Sequence, residues 1–196
     1  MKKEEQQSIR TYRKEMEKVL KADRFEHSLG VAYTAASLAM RFGGDVNKAL
    51  IAGILHDCAK CLDHDEQLKI CTKHDIEVTE CEMRNMKLLH AKAGAWLAAN
   101  KYGVSDPEAI SAIRWHTTGR PGMTKLEKII FLADIIEPGR KGFPEMDEIR
   151  KEIFADLDHG LFVTLGYLLE YLEKSGGEID TMTRETWKFY SGKFTA

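Results

Sequence analysis

Asp45-Val-Asn-Lys-Ala-Leu-Ile-Ala-Gly-Ile-Leu-His56-Asp57-Cys-Ala-Lys60 joins two features that seldom sit together, an apolar run and an adjacent imidazole–carboxylate pair. Asp45 offers a side-chain oxygen to the first free N–H groups of a helix, and the apolar residues behind it predict a helix over about 46–57. Burying His56 and Asp57 at its end without partners would cost several kcal/mol each. A metal ion removes that cost by taking imidazole nitrogens and carboxylate oxygens as ligands. A helical metal site is therefore the first expectation.

The same periodicity continues outward in both directions. Helices are expected at about 4–21, 24–42, 46–57, 64–73, 84–102, 107–117, 125–136, 145–155, 158–174 and 180–190, with ends good to about 2–4 residues. Asp23 is read as an N-cap beside Asp45. Asp106-Pro107 puts proline at a first helical position, and Thr124-Lys-Leu-Glu127 matches a capping box. Gly43-Gly44, Gly103 and Pro138-Gly139 should end the segments before them. Leu126, Ile129, Ile130, Ala133 and Ile136 form a core stripe. No segment shows the sustained alternation of a strand, and there is no internal repeat. The fold class expected is all-α.

With 196 residues, 43% hydrophobic and 31% charged, the chain is long enough for one folded domain over 1–196. Its 29 basic and 31 acidic residues give a net charge of -2. That balance argues against nucleic acid or an anionic membrane as main partner. A small anionic molecule remains compatible, because a local group of Lys and Arg suffices for it. The charged N-terminus lacks the apolar core of a signal peptide, and no apolar run approaches the ~18 residues of a spanning helix. A cytoplasmic location follows as an expectation. Cys58, Cys61, Cys71 and Cys81 need not pair in a reducing compartment. Only Cys58-Ala-Lys-Cys61 has CxxC spacing, so free thiols are expected and not a zinc knuckle.

Four further polar residues stand in helical apolar surroundings. His27 lies early in an Ala-rich segment, and His90 precedes Ala93, Gly94 and Leu97, which leave room around it. His116 ends a helical pattern, where a histidine can also simply favour the helix dipole. Asp134 interrupts Ile-Ile-Phe-Leu-Ala-Asp-Ile-Ile. A carboxylate there calls for a cation or strong donors. His64, His74 and His159 sit among charged neighbours and are read as surface residues. The stripe Leu157, Leu161, Leu165, Leu168, Leu169, Leu172 is read as core or helix packing, with a homodimer through it left open. No P-loop or dinucleotide-binding glycine motif is present.

The order His27, His56-Asp57, His90, His116, Asp134 resembles the HD-domain phosphohydrolases, whose minimal signature is H…HD…D. His90 and His116 match the extra histidines of binuclear members. Arg24-Phe-Glu-His27-Ser-Leu-Gly-Val, Ile-Leu-His56-Asp-Cys-Ala-Lys60, Leu-Leu-His90-Ala-Lys-Ala-Gly-Ala, Ile-Arg-Trp-His116-Thr-Thr-Gly and Leu-Ala-Asp134-Ile-Ile-Glu-Pro-Gly-Arg140 together resemble the bacterial YqeK family. The resemblance implies a single HD-type helical bundle with its metal core over about 24–140 and further helices over about 145–190. It also implies symmetrical hydrolysis of diadenosine tetraphosphate to two ADP at a binuclear, iron-type centre. A dinucleoside polyphosphate or an ADP-like nucleotide is then the partner.

The residues suit that chemistry. Two metals about 3.5–4 Å apart can hold a bridging hydroxide and neutralise phosphate oxygens. His27, His56, Asp57 and Asp134 are assigned to one, and His90, His116 and Asp57 to the other. Asp57 is the expected bridge, since a carboxylate has two oxygens and imidazole one free nitrogen. Asp57, His90 and His116 are the candidate catalytic residues. A mixed N/O set suits Fe, Mn, Co or Zn over Mg or Ca. Arg24, Lys60 and Arg140 stand three to six residues from ligands and are read as phosphate contacts. Thr117, Thr118 and Gly119 follow His116 and offer hydroxyls and N–H groups to an anion, with Gly119-Arg-Pro-Gly122 as a lip of the cleft. His27, His90, His116 and Asp134 would border the substrate as well. The alternatives are another HD nucleotide phosphohydrolase (a nucleotidase, a deoxynucleotide triphosphohydrolase or a (p)ppGpp hydrolase) and, from a different class, a non-catalytic binding module.

Overall fold

Asp45 caps its helix as expected: its carboxylate accepts from the N–H groups of Asn47 and Lys48 at 2.8 and 3.0 Å. The computed structural model describes residues 3–140, 144–176 and 178–194, and among them the regular secondary structure is all helical. Its elements are α1 (Lys3–Val19), α2 (Ala22–Phe42), α3 (Val46–Leu55), α4 (His64–Lys73), α5 (Glu80–Arg84), α6 (Leu89–Asn100), α7 (Pro107–Trp115), α8 (Lys125–Ile136), α9 (Met146–Ala155), α10 (Leu157–Lys174) and α11 (Thr181–Phe194). Two 3-10 turns, Cys58–Cys61 and Met86–Leu88, complete the set. The all-α expectation is met.

α3 is the axis of the packing. α2 lies against α3 and α8, and α7 touches α3, α6 and α8. The α2–α3 contact is backbone-close because Gly53 has no side chain: a Cβ there would stand 2.6 Å from Ala32 Cα. Ala32, Ala35, Ala49 and Ala52, all buried, line the same seam. The α8 stripe of Leu126, Ile129, Ile130, Ala133 and Ile136 is buried as its spacing requires, with each large side chain contributing about 1.5–3 kcal/mol. α10 packs on both α9 and α11, and α8 carries them through contacts with α9 and α10. One cluster of buried side chains runs from Met16 of α1 to Tyr190 of α11. No described helix is long and apolar enough to cross a membrane.

Several ends differ from the pattern reading. Lys21, not Asp23, occupies the N-cap of α2 and makes no side-chain cap bond. Asp23 sits in the first turn, where its charge still favours the helix N-terminus. α3 stops at Leu55, so His56 is the capping residue and Asp57 turns the chain into the 3-10 turn. The helix expected over 84–102 is three pieces. Thr79 and Glu82 form a capping box that starts α5, Asn85 leaves helical geometry, and α6 begins at Leu89. Buried Lys92 fixes that arrangement, donating to Glu82 Oε2 at 2.7 Å and to the Glu77 carbonyl at 2.8 Å. The α10 stripe divides: Leu157, Leu161 and Leu165 are core, whereas Leu168 and Leu172 face a cavity.

Candidate metal centre

Five helices bring the six polar residues together. His27 projects from α2, His56 and Asp57 from the end of α3, His90 from the start of α6, His116 from the C-cap of α7, and Asp134 from the last turn of α8. His56, Asp57, His90 and His116 are all buried. Asp57 stands between the two groups of ligands. Its Oδ2 is 3.5 Å from His56 Nε2 and 4.0 Å from His27 Nε2. Its Oδ1 is 3.1 Å from His90 Nε2 and 3.7 Å from His116 Nε2. Asp134 Oδ1 completes the first group, 2.9 Å from His27 Nε2 and 3.7 Å from His56 Nε2.

Two overlapping groups that share His56, His27/His56/Asp134 and His56/Asp57/His116, have ligand atoms close enough to hold a metal ion. The polar chemistry fits a cation. Nε2 of His56 is buried without a hydrogen-bond partner, and Nε2 of His27 faces the carboxylate oxygens of Asp134 and Asp57. Nε2 of His90 and of His116 approach to 3.0 Å. Burial, with the positive charge of His56 and His90 beside it, pushes His116 down to about 3, so its Nε2 offers a lone pair. Against the penalty of burial, His56 and His90 hold Asp57 well below the usual carboxylate range. Asp134 is likewise held down, its burial outweighed by His27, His56 and Arg140. Ionised carboxylates and a neutral imidazole are the states in which these groups bind a metal.

Each histidine ring is anchored through Nδ1. His56, His90 and His116 each pair with the carbonyl three residues earlier, Gly53, Lys87 and Ile113, at 2.8, 2.5 and 2.7 Å. His27 instead pairs with the carboxylate of Glu137 at 3.0 Å. Glu137 was missed by sequence reasoning, although Asp134-Ile-Ile-Glu137 sets it one helical turn beyond a ligand.

The expected cations surround this centre. Arg24 Nη1 donates to Asp57 Oδ2 at 2.9 Å, and Arg140 Nη2 to Asp134 Oδ1 at 2.7 Å. Lys60 is exposed at the edge. All three line a cavity of about 470 Å³ into which Asp57, His90, His116 and Asp134 open. Thr117 borders it as expected. Thr118 and Gly119 do not: the Thr118 hydroxyl donates to the Gly119 carbonyl, and the Gly119 N–H to Trp115. The Gly119–Gly122 loop is no lip either. Arg120 is bound to fully buried Glu127, and Met123 N–H donates to Tyr190 Oη, which ties the loop to α11.

The opposite wall of the cavity was not foreseen. It comprises Asn85, Lys87 and Leu88 before α6, Met146 of α9, Leu168, Tyr171 and Leu172 of α10, and Asp180 and Thr183 at the start of α11. Leu88 borders the His90 motif and Leu168 and Leu172 belong to the leucine stripe, but neither pattern marks them as cavity residues. The surface reading of the remaining histidines fits His64 and His74, which are exposed; His74 stacks on Trp96 at 4.2 Å. Half-buried His159 pairs with Glu152. Cys58, Cys71 and Cys81 are buried and Cys61 exposed, all as free thiols.

A helical bundle with this His/Asp centre defines a class of metal-dependent hydrolases, and the chain belongs to the HD domain family, which residues 24–139 match. Among its relatives, a protein of Bacillus subtilis named symmetrical bis(5'-nucleosyl)-tetraphosphatase is 41% identical over 84% of this chain and 88% of its own length. One of the same name from Halalkalibacterium halodurans is 38% identical over 84% of this chain and 87% of its own. A crystal structure from Clostridium acetobutylicum, described as a predicted HD superfamily hydrolase involved in NAD metabolism, superposes with a TM-score of 0.89. It is 39% identical, and the match covers 93% of this chain and 96% of that one.

Proposed function

We propose that this chain hydrolyses diadenosine tetraphosphate symmetrically to two ADP, with two transition-metal ions, iron by family resemblance, held by the six residues. The carrying observation is Asp57: its two oxygens face two different histidine sets, as a bridging carboxylate would. His27, His56 and Asp134 complete one set, and His90 with His116 the other. Bound there, divalent ions supply a nucleophile from water at neutral pH and charge neutralisation at phosphate oxygens. The relatives named as symmetrical tetraphosphatases support the substrate.

The chain's own residues then divide the work. Arg24 and Arg140 hold the ligand carboxylates in place with one edge of each guanidinium and offer their remaining N–H donors to phosphate oxygens. Lys60 and Lys87, at the cavity edge, spread positive charge along a polyphosphate. His90 and His116 turn their Nε2 atoms to the centre, beside Asp57 Oδ1. Ile135, Met146, Leu168, Tyr171 and Leu172 form an apolar wall on which a purine can lie, and Asp180, Thr183 and Asn85 supply hydrogen-bonding groups to its edge.

Product analysis tests this. The purified chain, loaded anaerobically with Fe²⁺ or with Mn²⁺, is given diadenosine tetraphosphate and the early products are separated. ADP as sole early product is expected. ATP with AMP, or no turnover beside rapid release of phosphate from nucleoside monophosphates, would overturn the proposal in favour of another HD phosphohydrolase activity.

A further inference from the structure

The four histidines of the centre are not anchored alike. Three donate from Nδ1 to a neutral backbone carbonyl; His27 alone faces a carboxylate, Glu137 Oε1 at 3.0 Å. The Glu137 carboxylate only accepts, so Nδ1 is the nitrogen it engages, and Nε2, 2.9 Å from Asp134 Oδ1 and 4.0 Å from Asp57 Oδ2, is the ring atom left to face a metal. Glu137 is 3% exposed and held from several sides. Its Oε2 accepts from Gly139 N–H at 2.6 Å, its own N–H donates to Ala133, and its carbonyl accepts from Arg150. Across from it stands Gly30, one turn after His27 on α2. A Cβ at Gly30 would come within 2.5 Å of Glu137 Oε2. The carboxylate fills the space that glycine leaves.

We infer that Glu137 is a positioning residue for His27, and that it makes the His27/His56/Asp57/Asp134 set the tighter of the two metal positions. This rests on the two-metal reading above. An anionic acceptor fixes the ring orientation and raises the basicity of the ligating nitrogen more than a neutral carbonyl does. Loss of such a partner typically weakens metal binding by about 10–100-fold. The His90/His116 position has only carbonyl anchors and should be the weaker one.

The test is a metal titration of the full chain with Co²⁺ against a chromophoric chelator, followed also by the ligand-field absorption of the bound ion. The wild type should fill two positions in succession. Glu137→Gln should lose about 10–100-fold from the first step only, with unchanged far-UV circular dichroism, and Glu137→Ala should lose more. Gly30→Ala, which keeps the carboxylate but occupies its space, should weaken the same step. An unchanged first step in Glu137→Gln overturns the inference. So does equal weakening of both steps with a lowered melting temperature in chelator, which would mark a general loosening. If the wild type takes up one equivalent only, the two-metal reading fails, while selective weakening of that equivalent in Glu137→Gln still supports positioning by Glu137.

Discussion

The two walls of the cavity are built differently. The wall from α2, α3, α6, α7 and α8 is buried and cross-braced, every histidine ring held through Nδ1 and both aspartates contacted by arginine. The wall from α9, α10 and α11 presents apolar side chains, among them Tyr171 with 58% of its surface exposed. The first has the rigidity that chemistry needs, since ligand atoms must be held to within fractions of an ångström. The second has a shape that many flat ring systems could use. On the proposed function, reaction type resides in one wall and substrate choice in the other, and substitutions should separate them.

The largest effect belongs to Asp57. Asp57→Ala removes the group shared by both ligand sets, and turnover should fall by on the order of 10³-fold or more, at least about 4 kcal/mol of barrier. The variant should keep its circular dichroism spectrum in chelator; retention of most activity would refute the bridging role. Arg140→Ala strips a charge-assisted contact from Asp134 and a donor from phosphate. It should lower kcat/KM by about 10–100-fold, read from initial rates with saturating metal.

The second wall should respond in another parameter. Tyr171→Ala should raise KM by about tenfold, within the ~1–3 kcal/mol typical of base stacking, and leave kcat nearly unchanged. A fall in kcat with constant KM would erase the distinction between the walls. The smallest effect is on acid stability. Asp134 is held below the ordinary carboxylate range, since its partners outweigh burial. Its contribution is thus complete above about pH 4 and is lost as pH falls further, towards its lowered native value. In chelator, the melting temperature of the wild type should drop more steeply between about pH 4 and about pH 2 than that of Asp134→Asn. Equal slopes would contradict the lowered pKa.

The same division explains what was legible in the sequence. Ligands on the first wall are polar residues inside apolar runs, and burial makes such residues conspicuous: Asp134 within Ile-Ile-Phe-Leu-Ala-Asp-Ile-Ile could not be an ordinary surface carboxylate. Asp45, Pro107 and the Thr124–Glu127 box marked helix starts because capping is local chemistry. The break of the 84–102 segment was hidden, since it depends on buried Lys92 meeting Glu82 ten residues away. Glu137 was hidden because an acidic residue beside Pro138-Gly139 looks like ordinary loop polarity, and only the gap at Gly30 on another helix shows otherwise. Leu168, Tyr171 and Leu172 were hidden because a leucine-rich helical stripe reads as core, and which leucines meet a cavity depends on how α10 crosses α8.

The proposed bridging role of Asp57 can be tested directly. Crystals of the chain soaked in Mn²⁺ would be measured near the metal absorption edge, and anomalous difference peaks located. Two peaks about 3.5–4 Å apart are expected, one beside His27, His56 and Asp134 and one beside His90 and His116, with a different oxygen of Asp57 directed at each. A single peak, or two peaks that share no ligand, would contradict the binuclear centre.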